Sequence, residues 1–216
     1  MTKDGAVFFD LDGTLVDTSI DILSSLRFAA ESCGFVGTEF SLSLIGRPVR
    51  EIFSLTIPGL SKKGLDTLQG AFRSHHDSVP LLSWRAYDGV KETLELLSGL
   101  NIPYYVVTNR PRTGVQNLVK SGFTHIPLEF YFCVGEHNCS DKSSLFRLLL
   151  ERTGLDGKSC LAFGDQEGDV IAAQQNGVSA CFCNFGFGVL SENRLKSVNK
   201  VTSHIEIQGK LRLRFD

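Results

Sequence analysis

Two pairs of aspartates each follow directly on an apolar segment of the sequence. The first pair is Asp10 and Asp12, and the second is Asp165 and Asp169. Carboxylates so close together raise each other's pKa unless a cation lies between them. An acidic turn or anions at a helix N-terminus would explain one acid but not two such pairs, and the ligand spacing of a calcium loop is absent. A hard dication such as Mg²⁺ does explain them, because it takes oxygen ligands and is commonly held by a few carboxylates together with a phosphate.

Three further polar residues are suited to a phosphate group. Thr108 and Asn109 close another apolar segment and offer a hydroxyl and an amide as donors, although a plain turn or helix cap is the simpler interpretation of this pair alone. Lys142 falls in the first turn of a predicted helix capped by Ser140, where the helix dipole disfavours a cation by about 0.3–1 kcal/mol. A nearby phosphate or aspartyl anion would offset that penalty. The pattern therefore indicates phosphate chemistry beside a dication.

These residues need a fold that brings the ends of distant apolar segments together. The chain alternates short, continuously apolar runs, which are typical of strands buried on both faces, with helical patterns. This alternation predicts a doubly wound α/β core with a mostly parallel, Rossmann-like sheet, in which chemistry sits at the carboxyl ends of the strands. The predicted strands are 6–9, 102–107, 130–134, 160–163 and 178–182, and the predicted helices are 88–100, 112–121, 141–153 and 166–176.

A long segment between the first two strands interrupts the alternation. Residues 18–82 contain no convincing strand and are too long for one crossover helix. Their patterns instead predict three helices, at 18–32, 40–55 (with an interruption at 46–48) and 61–76. We therefore predict an α/β core formed by residues 1–16 and 83–216, with an inserted α-helical cap domain of residues 17–82.

Three smaller features carry predictions of their own. Thr18 and Asp21 resemble a capping box at the start of the first inserted helix. His75 and His76 are adjacent on a helix and face different ways, so we expect both to be solvated rather than to share a metal. The tail 201–215 alternates apolar and basic residues around a glycine that disfavours helix, which predicts a strand or hairpin.

The composition excludes several classes of function. The chain has 216 residues, of which 42% are apolar, so it can bury a sizeable core. Its net charge of −2, without a concentrated basic face, argues against nucleic acid as a partner. No segment resembles a signal peptide or membrane helix, so we expect a cytoplasmic protein without a membrane partner. The six cysteines form no CxxC pair and are expected to be free thiols.

Taken together, the motifs resemble those of the haloacid dehalogenase superfamily. Four segments match its four motifs in order and spacing, namely Asp10-x-Asp12-Gly13-Thr14, Thr108-Asn109, Lys142 and Gly164-Asp165-x-x-x-Asp169. Within the superfamily the chain is similar to the phosphoglycolate phosphatase-like branch with a helical cap, through residues 9–18, 45–48 and 87–90. It departs from that branch at Gln166, where threonine or serine is frequent.

The resemblance implies a two-step reaction and a role for each motif residue. Asp10 is the nucleophile that forms an aspartyl-phosphate, and Asp12 is the general acid and then the general base, which requires anionic neighbours that raise its pKa. The remaining roles that the resemblance implies are catalysis by Lys142, phosphate or substrate binding by Gly13, Thr14, Thr108 and Asn109, and Mg²⁺ binding by Asp10, the Asp12 carbonyl, Asp165 and Asp169. Arg47 is the first candidate for a substrate contact from the cap, with a solvated surface arginine as the alternative.

The function that this resemblance implies is hydrolysis of a small, phosphoglycolate-like phosphomonoester. The expected partner is a small-molecule phosphate ester, and the expected assembly is a monomer or homodimer. Two alternatives stay open. A sugar phosphomutase uses the same four motifs, and a non-catalytic phosphate-binding relative would keep the fold, although intact Asp10, Asp12, Lys142 and Asp165 argue against a pure binder.

Overall fold

A computed structural model describes residues 5–77 and 81–215 of the chain. Its strands are β1 (Val7–Phe9), β2 (Val16–Asp17), β3 (Arg85–Ala86), β4 (Tyr104–Thr108), β5 (Tyr131–Cys133), β6 (Leu161–Gly164), β7 (Ser179–Cys183) and β8 (Asn199–Val201). Its α-helices are α1 (Ser19–Ser32), α2 (Val49–Thr56), α3 (Lys62–His76), α4 (Val90–Gly99), α5 (Arg112–Lys120), α6 (Lys142–Thr153), α7 (Glu167–Gln175) and α8 (His204–Phe215).

Six parallel strands form the central sheet, in the order β5-β4-β1-β6-β7-β8. β1 lies in the middle, and its three residues are fully buried, as continuous apolar strands covered on both faces must be. Helices α4, α5 and α8 cover one face of the sheet, and α6 and α7 cover the other. The predicted doubly wound, mostly parallel α/β fold is therefore confirmed, and each predicted strand is present within one or two residues of its expected bounds.

The register of the sheet brings three strand ends to one edge. Phe9, the last residue of β1, pairs with Val106 of β4 on one side and with Phe163 of β6 on the other. The segments that follow these strands therefore emerge side by side. The parallel sheet is what gathers residues near positions 10, 109 and 165 at a common edge.

Helices α1, α2 and α3 form a separate apolar cluster, which we call the helical insert. Leu26, Phe53 and Leu68 are fully buried within it, one from each helix. A short antiparallel pair, β2 with β3, joins the chain entering the insert to the chain leaving it. The division into a core of residues 1–16 and 83–216 and a cap domain of residues 17–82 stays a prediction. Residues 1–4, 78–80 and 216 of these two domains lie outside the described part of the chain.

The tail prediction was wrong, because residues 204–215 form helix α8 rather than a strand or hairpin. Ile207 and Leu211 are four residues apart, and both are fully buried against the core. Burial of this stripe outweighs the roughly 1 kcal/mol by which a glycine such as Gly209 disfavours a helix. Only a short strand, β8, precedes the helix.

The start of α6 also differs from its prediction. Asp141, not Ser140, is the N-cap, and its carboxylate accepts a hydrogen bond of 2.7 Å from the backbone N–H of Ser144. The Ser144 hydroxyl lies 3.3 Å from the backbone nitrogen of Asp141, which completes a reciprocal capping box. Lys142 is nonetheless in the first turn, as expected.

The structure also bears on the predictions about cysteines and membrane helices. All six cysteines are free, as expected. Within residues 5–77 and 81–215, no helix combines the length and the apolar character that crossing a bilayer requires.

The helical tail generates a prediction about two leucines. Leu211 is fully buried, whereas 92% of Leu213 is exposed. We expect Leu211→Ala to lower the free energy of unfolding by about 2–5 kcal/mol. Leu213→Ala should change it by no more than about 0.5 kcal/mol. Urea unfolding of the two variants measures both values, and equal destabilisation would contradict the helix, since a strand would place both leucines on one face.

Candidate active site

Three buried carboxylates meet at the edge of the sheet where β1 and β6 end. Asp10 follows β1, Asp165 follows β6, and Asp169 lies in the first turn of α7. One oxygen from each carboxylate lies within 4.8 Å of the other two. The structure therefore brings together the three side chains that were predicted to bind the metal.

Lys142 reaches this cluster from the start of α6. Its ammonium nitrogen lies 2.7 Å from Asp10 Oδ1 and 2.5 Å from Asp169 Oδ1, and the side chain is buried. Burial lowers the pKa of Lys142, but the two carboxylates raise it more, so that the net pKa lies above its ordinary value. Lys142 is thus a fixed cation that links two of the three acids.

One lysine does not neutralise three buried carboxylates. Burial, followed by repulsion from Asp169, raises the pKa of Asp10 well above its ordinary value, and the same two causes raise the pKa of Asp165 to about 7. Asp10 Oδ2 and Asp165 Oδ1 are buried and have no hydrogen-bond partner among the described residues. Unpartnered carboxylate oxygens in a buried acidic cluster fit a hard dication, and Mg²⁺ prefers this all-oxygen donor set.

Gly13 allows the loop after β1 to pass close to Asp165. Its φ is +88°, and a Cβ atom at this position would lie 2.3 Å from Asp165 Oδ2. Any larger residue would therefore displace the carboxylate as well as strain the backbone. The same Asp165 oxygen accepts hydrogen bonds from the backbone N–H groups of Phe187 (2.8 Å) and Gly188 (3.1 Å). These contacts fix the orientation of Asp165.

Asp12 lies beside the cluster but has different partners. Arg110 donates two hydrogen bonds to its carboxylate, from Nε (3.0 Å) and Nη2 (2.7 Å), and the Thr18 hydroxyl donates a third of 2.5 Å. Burial raises the pKa of Asp12, but Arg110 and Thr18 lower it more, so the net pKa lies below its ordinary value. Asp12 is therefore surrounded by a cation and a hydroxyl donor, not by the anionic neighbours that its predicted role requires. Thr18 likewise makes no capping hydrogen bond, so the predicted capping box with Asp21 was wrong.

Arg110 is a site residue that sequence reasoning missed. It is buried, and besides its fork to Asp12 it donates through Nη1 to His76 Nε2 at 2.8 Å. Its position immediately after Thr108-Asn109 was the one available signal, because a residue following a strand end lies at the catalytic edge of the sheet. Nothing in the local sequence indicates a partner 98 residues away.

His76 is buried, so the prediction that it is solvated was wrong. Burial and the neighbouring Arg110 lower its pKa to about 3. The neutral ring accepts from Arg110 at Nε2, and its Nδ1 therefore donates to the Ser25 hydroxyl, 3.0 Å away. His75 is half-buried and stacks on Phe28, with ring centroids 4.1 Å apart. Both histidines pack against helix α1 of the insert.

Some of the predicted phosphate-binding residues lie at the sheet edge, and one lies in the core. The Thr108 hydroxyl accepts from the backbone N–H of Arg110 at 3.0 Å. The Asn109 amide donates to the backbone carbonyl of Gly46 in the insert at 2.9 Å. Thr14 is fully buried, and its carbonyl accepts from His204 Nε2 at 2.9 Å. Thr108 and Asn109 therefore lie at the sheet edge, as predicted, whereas Thr14 faces the core.

Residues 45–48 of the insert lie across the site between two clefts. Gln166 donates to the Ile45 carbonyl at 2.7 Å and, together with Asn109, fastens this loop to the core. A cavity of about 80 Å³ lies on the Asp12 side, and a wider cleft of about 480 Å³ lies on the Lys142 side. Arg47 borders both clefts, but its guanidinium pairs with Glu51 at 2.6 Å and remains partly exposed.

Residues 7–183 match the family described as haloacid dehalogenase-like hydrolase. The chain belongs to this family. It is 29% identical to a 5'-nucleotidase of Pseudomonas aeruginosa over 88% of this chain and 86% of that protein, and 30% identical to a phosphoglycolate phosphatase of Agrobacterium fabrum over 83% and 80%. The crystal structure of a predicted phosphatase from Clostridium acetobutylicum has the same fold, with a TM-score of 0.82, 22% identity and coverage of 97% and 98%. The family confirms the prediction of a haloacid dehalogenase-like enzyme.

The acidic cluster of this hydrolase generates a prediction about magnesium and pH. The folded-state pKa of Asp165 lies above its ordinary value of 3.8, at about 7. In the metal-free protein, the contribution of Asp165 to stability is therefore largest at low pH and is lost as the pH rises through about 7. Mg²⁺ binds the ionised carboxylate and should reverse that loss. We expect Mg²⁺ at about 100 times its Kd to raise the Tm by roughly 5–10 °C at pH 8, and by much less at pH 5.

Thermal unfolding with Mg²⁺ or EDTA at both pH values measures this effect. Asp165→Asn should abolish most of the shift. The matched substitution Asp66→Asn, at an exposed position of α3, should retain it. A shift that is the same at both pH values, or that survives in Asp165→Asn, would show that Mg²⁺ binds elsewhere.

Proposed function

We propose that this hydrolase is a Mg²⁺-dependent phosphatase that hydrolyses a small, phosphoglycolate-like phosphomonoester through an aspartyl-phosphate on Asp10. The observation that carries the proposal is the buried cluster of Asp10, Asp165 and Asp169, two of which (Asp10 and Asp169) contact the ammonium group of Lys142. Two relatives support the substrate class, since one is named phosphoglycolate phosphatase and the other 5'-nucleotidase. Both names describe removal of phosphate from an ester.

The proposed first step is attack of an Asp10 oxygen on phosphorus. The phosphorus–oxygen bond to the leaving alcohol breaks. Asp12, which would first leave Arg110 and take up a proton from solvent beside the anionic substrate, gives that proton to the leaving oxygen. In the second step, water attacks the phosphorus of the aspartyl-phosphate while Asp12 takes a proton from the water. The aspartyl–phosphate bond then breaks, inorganic phosphate is released, and Asp10 and Asp12 return to their starting states.

The metal-binding residues in this proposal are Asp10, Asp165 and Asp169, with the backbone carbonyl of Asp12. When bound, Mg²⁺ would neutralise charge so that the substrate phosphate can approach the Asp10 carboxylate. The unpartnered oxygens of Asp10 and Asp165 support this assignment. Asp169 contacts Lys142 and would hold the ion directly or through a water molecule.

Lys142 and the residues after β4 would hold the phosphate oxygens. Lys142 contacts the nucleophile directly, so a phosphate on Asp10 would lie next to a fixed positive charge that stabilises the developing negative charge. Thr108 and Asn109 would add a hydroxyl and an amide. The backbone N–H groups of Gly13 and Thr14 would contribute only after exchanging their contacts with the carbonyls of Val16 and Leu11. The Asn109 amide must first exchange its contact with the Gly46 carbonyl.

The helical insert would act as a cap domain over this site, with residues 17–82 as its bounds. Its loop at residues 45–48 borders both clefts, and closure over a bound substrate would exclude water. Arg47 would contact the substrate after release from Glu51. Location in the cytoplasm and assembly as a monomer or homodimer remain predictions.

The proposal predicts phosphate release that needs both Mg²⁺ and Asp10. Asp10→Asn removes the nucleophile while it keeps the size of the side chain, so we expect kcat to fall by at least about 1,000-fold. Phosphate released from a panel of phosphoglycolate, sugar phosphates and nucleoside monophosphates measures it, with Asp66→Asn as a control that should retain activity.

Two alternative functions give different results in the same experiment. A sugar phosphomutase would yield isomerised sugar phosphate with little free phosphate. A non-catalytic binder would release no phosphate from any ester and would not form a beryllofluoride adduct on Asp10. Either result would replace the proposed hydrolysis.

A further inference from the structure

The cavity beside Asp12 combines apolar walls with one buried guanidinium group. Its walls include Ile22, Ile52 and Phe72 of the helical insert, and Arg110 and His76 line it as well. Only 3% of the Arg110 side chain is exposed. In the proposed reaction, Asp12 protonates the leaving oxygen, so the leaving group must lie on the Asp12 side of the site. This cavity, rather than the wider cleft at Lys142, is therefore the leaving-group pocket.

Asp12 cannot serve a leaving group while it keeps its present partners. Arg110 binds both of its carboxylate oxygens, and Thr18 shares one of them. When Asp12 turns toward a leaving oxygen, Arg110 loses the carboxylate in direct contact with it. A buried charge without a partner is strongly destabilising, so this movement is unfavourable unless another anion replaces Asp12.

We propose that Arg110 is a specificity-determining residue that binds a carboxylate on the leaving group of the substrate, which takes the place of Asp12 on the guanidinium fork. This inference rests on the proposed phosphatase function and narrows its substrate class to phosphate esters of small hydroxy acids. The exchange replaces one carboxylate by another of the same shape and charge. It frees Asp12 only when a substrate with the correct anionic group is present.

The geometry of Arg110 supports this exchange. Nε and Nη2 form the paired donors that match a carboxylate, and Nη1 is held separately by His76. His76 is in turn held by Ser25, so the guanidinium stays oriented when Asp12 leaves. Most of the insert residues that line this cavity are apolar, and they offer few partners for the hydroxyl groups of a sugar.

Arg47 is the competing candidate for an anionic group. Its guanidinium is partly exposed and already paired with Glu51, which lies four residues further along the chain, in α2. Exposed pairs of this kind contribute little energy, so recognition through Arg47 would discriminate weakly between charged and neutral ligands. Arg110 is buried and would discriminate strongly.

The test compares binding of 2-phosphoglycolate with that of its primary amide, which has the same size but no carboxylate charge. Calorimetric titration in Mg²⁺ uses the Asp10→Asn variant, so the affinities do not depend on turnover. We expect the acid to bind about 10- to 100-fold more tightly than the amide, as for a hydrogen-bonded charged group. Adding Arg110→Gln should bring the ratio close to one, and adding Arg110→Lys should preserve part of it, because lysine keeps the charge without the fork.

Two further variants show whether the change in the affinity ratio is specific to Arg110. Arg73→Gln, the same substitution at an exposed position of α3, should leave the ratio unchanged. Arg47→Gln should also leave the ratio high. Equal affinity for acid and amide in the Asp10→Asn protein overturns the inference, as does a ratio that falls with Arg47→Gln but not with Arg110→Gln.

Failure of this inference is distinguishable from failure of the proposed function. Phosphate release by the unsubstituted enzyme tests the function, whereas the affinity ratio tests Arg110. Circular dichroism reports whether Arg110→Gln folds. If it does not fold, the ratio in the Asp10→Asn protein and its change in Arg110→Lys still decide the question.

Discussion

An excess of buried negative charge at one edge of the sheet constrains the rest of the structure. Asp10, Asp165 and Asp169 lie within reach of one another, and Lys142 is the cation that contacts two of them. Burying charges in this way is unfavourable by several kcal/mol for each unpaired ion, so the apolar layers on both faces of the sheet must outweigh that energy. The fully buried β1 strand, with apolar clusters on either side, supplies the rigid support that keeps the carboxylates from moving apart.

The helical insert is coupled to this edge through hydrogen bonds from core side chains. Asn109 and Gln166 hold the carbonyls of Gly46 and Ile45, while Arg110 contacts His76 at the end of α3. All three donors follow strand ends, where they also border the acidic cluster. A movement of the insert would therefore change the surroundings of the catalytic edge. Gln166 is informative here, because its amide reaches from the end of β6 to the Ile45 carbonyl of the insert.

Local patterns predicted the parts of this protein that depend on local sequence. Continuous apolar runs located the strands, and acids at the ends of β1 and β6 located the candidate metal site, because parallel strands bring those ends together. Local patterns could not predict contacts between segments that lie far apart in the sequence. The apolar–basic alternation of the tail fits a strand locally, but burial of Ile207 and Leu211 favours a helix. Thr18 and His76 were misassigned for the same reason, since their partners Asp12 and Arg110 belong to other elements.

The ion pair between Asp12 and Arg110 reconciles two requirements of the site. Without substrate, each side chain is the other's direct counter-ion, and the buried charge of Arg110 is paired beside the apolar residues of the insert. In the proposed reaction, the same pairing keeps Asp12 away from proton transfer. If only neutral donors held Asp12, it could donate its proton to the leaving group of any phosphate ester. Arg110 would then be a buried cation without a carboxylate in direct contact. The pairing therefore stabilises the site in the absence of substrate and makes release of Asp12 depend on the charge of the ligand that enters.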